Sequence, residues 1–245
     1  MMTSADSNVL ETLLRRRSPL YRLHLSAGAS MIETELGPGV GIYRSEAADR
    51  AAAAQLGVVD RCLQARVGFK GAGSADYLQS FSIEVPTGPN RARLLSDGLL
   101  VNQLSFDEFL LLDTLEQSSK SARAASRAWT MDESKRCYEV PRQDSHGCLA
   151  ILGVDAAQTL ASLISVDLRP DQFEDLQIAQ TLLNEVSVIL IRQDLGLVPN
   201  FFLLADISAM EYLWAVLLDA LQVGGGAALG LEAFRVLQAA AKAPS

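Results

Sequence analysis

The sequence predicts an α+β fold built from mostly antiparallel sheets with helices on one face. Two observations lead to this prediction. Segments with strand patterning and segments with helix patterning are mixed along the chain without the regular strand–helix–strand repeat of parallel sheets. In addition, 49% of the 245 residues are hydrophobic and 20% are charged, which is enough apolar material for one large domain or two small ones. Disorder, collagen and coiled coil are therefore excluded for the chain as a whole.

The first half of the chain contains start and stop signals for its elements. Ser45 is typical of a helix N-cap, and Gly57 is typical of the end of the helix that follows it. The Gly-Pro-Gly segment at residues 37–39 predicts a turn. The other predicted elements are a helix at residues 8–16, strand segments at 58–59 and 62–69, a helix at 75–80 capped by Ser74, and strands at 99–104 and 109–113.

The second half begins with residues 116–136, which are rich in serine, alanine, lysine and arginine. This composition predicts an exposed helix that covers a sheet. Ser208 is expected to cap a helix at residues 210–221, and the triple glycine at 224–226 is expected to end that helix and link it to the next. The other predicted elements are strands at residues 148–152, 186–192 and 201–205 and helices at 156–164 and 231–241.

Charge, hydropathy and cysteine content limit what the chain can do. A formal net charge of -8 and a sequence pI near 4.8 repel a phosphate backbone, so no nucleic-acid partner is expected. The longest apolar runs are far shorter than the roughly 18–20 residues that span a bilayer, and the polar start does not resemble a signal peptide. We therefore expect a cytoplasmic protein without a membrane partner. Three scattered cysteines, and two histidines without nearby ligands, predict neither disulfides nor a metal site.

Short motifs that cover nearly the whole chain share the order and spacing of one known family. They are Pro19-Leu20-Tyr21, His24, Gly28-Ala29, Met31, Tyr43, Gly57-Val58-Val59-Asp60, Tyr77-Leu78, Ser96-Asp97-Gly98-Leu99-Leu100-Val101, Ile151-Leu152-Gly153, Ala156, Tyr212-Leu213-Trp214 and Gly230-Leu231-Glu232-Ala233-Phe234-Arg235-Val236-Leu237. Together these motifs resemble the glycine cleavage T protein, an aminomethyltransferase of a folate-binding superfamily.

A second group of motifs lies between residues 166 and 220. They are Val166-Asp167-Leu168-Arg169-Pro170, Phe173, Ala179-Gln180-Thr181-Leu182, residues 188–192 and 201–204, Tyr212-Leu213-Trp214 and Leu217-Leu218-Asp219-Ala220. This block resembles the gamma subunit of heterotetrameric sarcosine oxidase, which belongs to the same superfamily and has a comparable length.

The two resemblances imply a domain organisation. An N-terminal arm at residues 1–17 would precede one aminomethyltransferase-like fold at residues 18–245. Two subdomains, about residues 18–113 with 206–245 and about residues 114–205, would surround a central cavity, and the second subdomain would be ferredoxin-like. The C-terminal barrel domain of T proteins is not expected. Complete family members bind a folate in the central cavity, so tetrahydrofolate is the implied cofactor.

Asp97 is the candidate catalytic residue. T proteins have an Asp-Asp-Leu-Ile-Val stretch whose aspartate faces the one-carbon nitrogen of folate, and this chain has Asp97-Gly98-Leu99-Leu100-Val101 at the matching place. A carboxylate beside a reacting amine can stabilise the iminium-like charge or relay a proton. Asp followed by Gly is also a common turn dipeptide, so a hairpin residue without chemistry is the alternative interpretation.

The folate site implied by the resemblance lacks one acid. In family members, the glutamate of a Gly-Tyr-Thr-Gly-Glu segment hydrogen-bonds the pterin ring. By its spacing from Trp214, this segment falls at residues 195–199, which contain no carboxylate. A pterin bound there would lose about 1–3 kcal/mol for each missing hydrogen bond. We therefore expect a degenerate folate site, in which Asp194 is either a substitute or a solvated turn residue.

Three further residues match positions that line or brace the pocket of the family, namely Tyr43, Asp60 and Arg235. Arg235 corresponds to a basic residue that helps anchor the ligand in folate-binding members. As alternatives, Arg235 is a helix arginine with its head group in water, and Asp60 and Tyr43 are a cap and a core phenol. The expected cofactor-binding residues are thus Tyr43, Asp60, Asp97 and Arg235.

Two functions from different classes follow from these observations. An accessory subunit similar to sarcosine oxidase gamma would bind flavoprotein oxidase subunits in one-carbon or methylamine metabolism and keep only a degenerate folate site. The alternative is a tetrahydrofolate-dependent aminomethyl or methyl transferase like the T protein. A third option is a module that binds some other planar, folate-like small molecule in the same cavity.

Overall fold

A computed structural model of the protein describes residues 15–114, 116 and 119–242, so the predicted helix at residues 8–16 lies almost entirely outside the described residues. The described helices are α1 (Tyr21–Ser26), α2 (Glu46–Gln55), α3 (Ser74–Gln79), α4 (Lys120–Ala128), α5 (Arg142–Ser145), α6 (Ala156–Ala161), α7 (Met210–Val223) and α8 (Leu231–Lys242), with 3-10 turns at Glu133–Lys135 and Ile207–Ala209. The described strands are β1 (Ser30–Thr34), β2 (Gly37–Ile42), β3 (Gly57–Asp60), β4 (Arg66–Lys70), β5 (Arg91–Leu94), β6 (Leu100–Gln103), β7 (Glu108–Leu112), β8 (Tyr138–Val140), β9 (His146–Leu152), β10 (Ile178–Leu183), β11 (Val186–Arg192), β12 (Asn200–Asp206) and β13 (Ala227–Leu229).

The larger of the two main sheets has six strands in the order β10-β11-β12-β9-β3-β13. Its neighbouring strands are antiparallel except β13 and β3, which run parallel with Gly57 opposite Ala227. The central strands β9 and β12 are buried along almost their whole length. Both faces of this sheet are therefore covered, which explains why these two strands read as continuous apolar runs rather than as alternating ones.

The other main sheet has five antiparallel strands in the order β5-β6-β7-β4-β8. Successive side chains of a strand point to opposite faces. On β7, Leu110 and Leu112 accordingly pack toward the six-stranded sheet, whereas Phe109 and Leu111 pack toward α3 and α4. A separate hairpin is formed by β1 and β2.

Three apolar layers make up the core. The first joins α6 and α7 to the six-stranded sheet, and the third joins the five-stranded sheet to α3 and α4. In the middle layer the two sheets pack against each other, with Leu110 and Leu112 in one cluster with Ala150 and Phe202, and Phe234 of α8 joins them. The molecule is therefore a stack of helices, sheet, sheet and helices.

This architecture confirms the predicted fold class, since it is a mixed α+β arrangement with mostly antiparallel sheets and several helices, and the described strands form no closed barrel. The pairing of β3 with β9 brings strands of both predicted subdomains into one sheet, and the division into subdomains stays a prediction. Within the described residues, none of the helices combines the length and the apolar character that a bilayer crossing demands.

Two of the three predicted helix caps are wrong. Ser45 caps α2 as predicted, because its hydroxyl oxygen accepts the amide of Ala48 at 3.2 Å. Ser74 is the first residue of α3, and the N-cap position belongs to Gly73. Ser208 lies inside a 3-10 turn before α7, and the cap of that turn is Asp206, whose Oδ1 accepts the amide of Ser208 at 2.9 Å.

Several predicted segments have a different structure. Residues 37–39 lie in β2 because β1 pairs with them, so the predicted turn is wrong. Among the described residues of the predicted helix at 116–136, the α-helix is confined to the nine residues of α4, and the backbone is extended at Trp129. The triple glycine leads into β13, where only a link was predicted. Strands β1, β5, β8 and β10 were not predicted.

A turn at residues 61–65 replaces the start of the predicted strand at 62–69 and connects the two main sheets. The amide of Asp113 donates to the carbonyl of Ala65 at 2.9 Å, which ties the turn to the end of β7. Arg66, the first residue of β4, is buried and fixes the turn through its guanidinium. It donates to the carbonyl oxygens of Cys62, Gln64, Arg142 and His146.

Candidate functional site

Tyr43 and Asp60, two of the predicted site residues, are joined through His24. The phenol oxygen of Tyr43 lies 2.5 Å from Nδ1 of His24, and Nε2 of His24 lies 2.8 Å from Oδ2 of Asp60. Tyr43 follows β2, His24 lies in α1, and Asp60 ends β3, so three separate elements meet at this point. We call these residues the Tyr43–His24–Asp60 chain.

The hydrogen bonds of the Tyr43–His24–Asp60 chain fit one protonation pattern. An ionised carboxylate only accepts hydrogen bonds, so Nε2 of His24 donates to Asp60. Nδ1 of the neutral imidazole is then an acceptor, and the hydroxyl of Tyr43 donates to it. Asp60 also accepts the hydroxyl of Ser18 and, at 2.8 Å, the amide of Cys62. The carboxylate of Asp60 is thus held by three donors.

Packing separates the two ends of the Tyr43–His24–Asp60 chain. His24 is 1% exposed, and Trp214 of α7 meets its ring edge-on with the ring centroids 5.1 Å apart. Tyr43 is half-buried, and its amide donates to the buried carboxylate of Asp49 at 2.9 Å, which fixes the backbone at this point. The chain therefore leads from a partly accessible phenol to a buried carboxylate.

The pKa values of the two end groups of the Tyr43–His24–Asp60 chain are shifted in opposite directions. Burial by itself raises the pKa of the Asp60 carboxyl, but the hydrogen bonds that it accepts from His24, Ser18 and the amide of Cys62 outweigh burial, so this pKa lies below its ordinary 3.8. Burial, followed by the charges of Asp60 and Asp49, raises the pKa of the Tyr43 phenol above its ordinary 10.0. At neutral pH Tyr43 is therefore protonated and Asp60 is ionised.

Asp97 lies in the turn between β5 and β6, which belongs to the five-stranded sheet. Its Oδ1 accepts the amide of Leu99 at 3.1 Å, and Gly98 has a φ of 90° that suits the turn. These contacts agree with the hairpin alternative. The charge of Asp97 also contributes to the raised pKa of Asp113, although burial is its largest cause, so a second acid lies nearby. A catalytic role of Asp97 stays a prediction.

Arg235 lies on α8, where it pairs with two acids. Its guanidinium donates to Glu232 at 2.8 Å and to Glu116 at 3.2 Å. These bonds agree with the alternative of a helix arginine, and a role in anchoring folate stays a prediction. Arg235 borders an open surface cavity of about 560 Å³ whose other lining residues are Arg15, Glu33, Thr34, Glu35 and Glu116.

Arg61 is a buried cation that the sequence interpretation missed. It is 1% exposed, and its guanidinium carbon lies 3.9 Å from the ring centroid of Phe234 and 5.7 Å from that of Phe202. Its Nε donates to Gln64 at 3.1 Å, while Nη1 has no hydrogen-bond partner among the described residues. Burial lowers the pKa of Arg61 to about 10, so the group remains charged. Cation–π attraction by the two rings compensates part of its desolvation.

Asp194, the suggested substitute for the missing glutamate, is not a solvated turn residue. Arg192 donates to both of its carboxylate oxygens, at 2.9 and 2.7 Å, and its amide donates to Asp175 at 2.8 Å. The neighbouring bridge between Leu195 and Val198 closes the loop. Asp194 is therefore engaged by partners within the protein.

The cysteines are inert small core residues in this fold. Burial raises the pKa of the Cys62 and Cys137 thiols, and it raises the pKa of the Cys148 thiol to about 11. A protonated thiol is a poor nucleophile and a poor metal ligand. In the part of the chain that the structure describes, no three histidine, cysteine, aspartate or glutamate side chains are grouped as metal ligands.

Sequence reasoning thus found both ends of the Tyr43–His24–Asp60 chain but not its middle. His24 was named among the motif residues of the family and weighed as a metal ligand, but no hydrogen-bonding role was predicted for it. Its two partners lie 19 and 36 residues away, beyond any local pattern. Arg61 carried a usable signal, since it lies between the strand residues at 58–60 and the apolar residues Cys62 and Leu63. An arginine among apolar residues at the end of a strand indicates a buried cation with a structural or functional role.

Comparisons with known proteins give matches by structure. No family model matches the chain, and no curated protein matches it. The fold is similar to that of the glycine cleavage system aminomethyltransferase T from Bartonella henselae, with a TM-score of 0.68 and 18% identity over 91% of this chain and 62% of that chain. This chain therefore spans less than two thirds of that relative.

A second similar structure is a chain of the heterotetrameric sarcosine oxidase from Corynebacterium sp. U-96, solved in complex with pyrrole 2-carboxylate. The TM-score is 0.59 and the identity is 20%, over 84% of this chain and 94% of that chain. Identities of this size concern the fold. The protein thus has the fold that aminomethyltransferase T and this sarcosine oxidase chain share, as the resemblance of its sequence motifs implied.

Proposed function

We propose that this chain is an accessory subunit of a flavoprotein amine oxidase complex and that its folate site is degenerate. The structural match to a chain of a heterotetrameric sarcosine oxidase supports the proposal. The sequence block at residues 166–220, which resembles the gamma subunit, supports the same assignment. The flavoprotein subunits of the complex would be the partners of this chain.

The observation that carries the proposal is the packed middle layer between the two main sheets. The sequence resemblance implies a folate cavity at the centre of the fold, and here Leu110, Leu112 and Phe202 pack together between the sheets. Arg61 lies beneath the ring of Phe234 in the same region. A pterin that entered this layer would have to displace well-packed apolar side chains, and each lost contact would weaken its binding.

The neighbouring acids Asp97 and Asp113 favour the second candidate, a tetrahydrofolate-dependent transferase. Two nearby carboxylates with different environments are a common arrangement for acid–base chemistry. The cavity that Asp113 lines has a volume of about 210 Å³, however. Pockets that bind drug-sized ligands have volumes of roughly 300–1,000 Å³, so this site would have to rearrange to bind a folate. This size mismatch favours the accessory role.

The first experiment tests the partner. The full chain, tagged at its chromosomal locus and purified from its native cells, should elute as a stoichiometric complex that has a flavin absorbance spectrum and takes up oxygen when a secondary amine is added. The control is the same purification from an untagged strain. If the tagged chain elutes by itself, without flavin and without amine-dependent oxygen uptake, the accessory role is wrong.

The second experiment tests folate. Calorimetric titration of the full chain with tetrahydrofolate should give no binding heat, and saturating tetrahydrofolate should not raise the unfolding temperature. If tetrahydrofolate binds and aminomethyl transfer is observed, Asp97→Asn should abolish the transfer, whereas Asp107→Asn in the neighbouring turn of the same sheet should preserve it. That outcome would establish the transferase in place of the accessory subunit.

A further inference from the structure

A small cavity lies between the five-stranded sheet and helix α4. Its volume is about 210 Å³, which corresponds to about seven water molecules at ~30 Å³ each. The lining residues come from β4, β7, α4 and the loops beside them. They are Leu36, Ala65, Arg66, Val67, Leu111, Asp113, Ala122, Arg123, Ser126 and Gln143.

Asp113 contributes a carboxylate to this cavity. The residue is 4% exposed and follows the last residue of β7. Its Oδ1 accepts two backbone amides, from Thr114 at 2.7 Å and from Ser119 at 3.1 Å. Among the residues that the structure describes, no hydrogen bond reaches its Oδ2. The carboxylate is therefore anchored through one oxygen while the other remains available to a ligand.

Arg123 contributes the opposite charge from the first turns of α4. Its charge acts on Asp113, yet the two groups form no salt bridge. Within the described part of the chain, its guanidinium has no hydrogen bond or ion pair. A buried acid and a cation that line one cavity without contacting each other leave space for a group that contacts both.

The remaining wall of the cavity is apolar or already saturated. Val67, Leu111 and Ala122 present aliphatic groups. Arg66 adds charge, but four of the five hydrogens that a guanidinium can donate are used by carbonyl oxygens. Arg123 is thus the guanidinium of this cavity that can bind a carboxylate through two hydrogen bonds.

We propose that this cavity binds a small zwitterion, namely an α-amino acid with a small aliphatic side chain. Its carboxylate pairs with Arg123, its ammonium pairs with Asp113, and its side chain contacts Leu111 and Val67. An anion without an ammonium group would leave Asp113 unpaired, and an amine without a carboxylate would leave Arg123 unpaired. The inference does not depend on the accessory role, because that role leaves this cavity unassigned.

The test is calorimetric titration of the full chain with three probes of similar shape, which are L-valine, isovalerate and isobutylamine. L-valine should bind, and each analogue should bind about ten- to a hundredfold more weakly, because each lacks one charge-assisted interaction. This comparison uses the wild-type chain and therefore does not depend on whether a variant folds. If isovalerate binds as tightly as L-valine, or if none of the probes binds, the proposal is wrong.

Two variants test which residue binds the carboxylate of the ligand and which binds its ammonium group. Arg123→Gln should weaken L-valine binding by at least about tenfold, and Asp113→Asn should remove the preference for L-valine over isovalerate. The matched control is Arg127→Gln, which removes an exposed arginine one turn further along α4 and should leave the Kd for L-valine unchanged. If Arg127→Gln weakens binding as much as Arg123→Gln, the effect comes from the general charge of the helix and the proposal is wrong.

Discussion

Asp60 and Asp113 are both buried carboxylates, but they differ in the donors that surround them. Asp60 accepts hydrogen bonds from two side chains, His24 and Ser18, and from one backbone amide. Asp113 accepts two backbone amides near the start of α4, both on the same oxygen. The pKa of Asp60 lies below its ordinary value, whereas the pKa of Asp113 lies above its own.

Burial alone does not decide the role of a carboxylate in this fold. Side-chain donors from several elements make Asp60 a structural joint between α1, β2 and β3, because its ionised form is the favoured one. Asp113 is held at one oxygen and faces a cavity. Burial outweighs its two amide donors and the charge of Arg123, so its ionised form is only partly compensated. The four predictions below follow from this contrast.

The largest effect is expected for Asp60→Ala. The free energy of unfolding should fall by about 3–5 kcal/mol, since His24 and Ser18 lose their buried acceptor. Urea titration at neutral pH measures this change. Asp113→Ala is the matched comparison and should have a clearly smaller effect. Equal losses for the two variants would contradict the contrast.

The second effect concerns the other end of the Tyr43–His24–Asp60 chain. Tyr43→Phe should lower the free energy of unfolding by about 1–3 kcal/mol, because Nδ1 of His24 is left buried without a donor. Tyr138→Phe, at a more exposed tyrosine of β8, serves as the control and should change stability little. If both variants are equally stable, the hydrogen bond from the hydroxyl of Tyr43 to His24 does not stabilise the fold.

The third effect is a pH dependence. Because the folded-state pKa of Asp60 is lower than its ordinary 3.8, ionised Asp60 stabilises the fold above the ordinary pKa, and this contribution is lost as the pH falls through the folded-state pKa. The stability difference between wild type and Asp60→Ala should therefore narrow below about pH 4. Unfolding titrations at a series of pH values measure it, and a constant difference would contradict the lowered pKa.

The smallest effect is expected for Asp113→Asn, with the opposite sign. Since the folded-state pKa of Asp113 is raised, its ionised form costs stability as the pH rises through that pKa. Removing the charge should raise the free energy of unfolding at neutral pH by up to about 1 kcal/mol, because burial outweighs the favourable helix dipole. The gain should vanish below about pH 4. A loss of stability at neutral pH would show that ionised Asp113 is compensated.

Local signals explain which parts of the fold could be predicted from the sequence. The strand at Val186–Arg192 and the helix capped by Ser45 have patterns that tertiary contacts did not override. Residues 37–39 looked like a turn because glycine and proline favour turns, but pairing with β1 made them a strand. The three residues of β13 are too few to show any alternation, and they depend on a partner strand far away in the sequence.

The residues of the candidate sites also differ in whether the sequence contains a signal for them. The family resemblance indicated Tyr43 and Asp60, and the structure brings them together through His24. Asp113 and Arg123 were not singled out, because a lone acid after a strand and a lone arginine on a helix are ordinary in any sequence. Their relation arises only when α4 folds over β7, and no local spacing encodes that packing.

Strand β13 reaches its partner late in synthesis. Residues 57–60 leave the ribosome well before residues 227–229, and at about 5–20 residues per second the interval is about 10–30 s. During this time one edge of β3 carries amides and carbonyls without their final partner, and such an edge can recruit strands of other nascent chains. Pairing with β13 therefore closes this edge of β3 against other nascent chains, a task separate from any ligand or partner of the finished molecule.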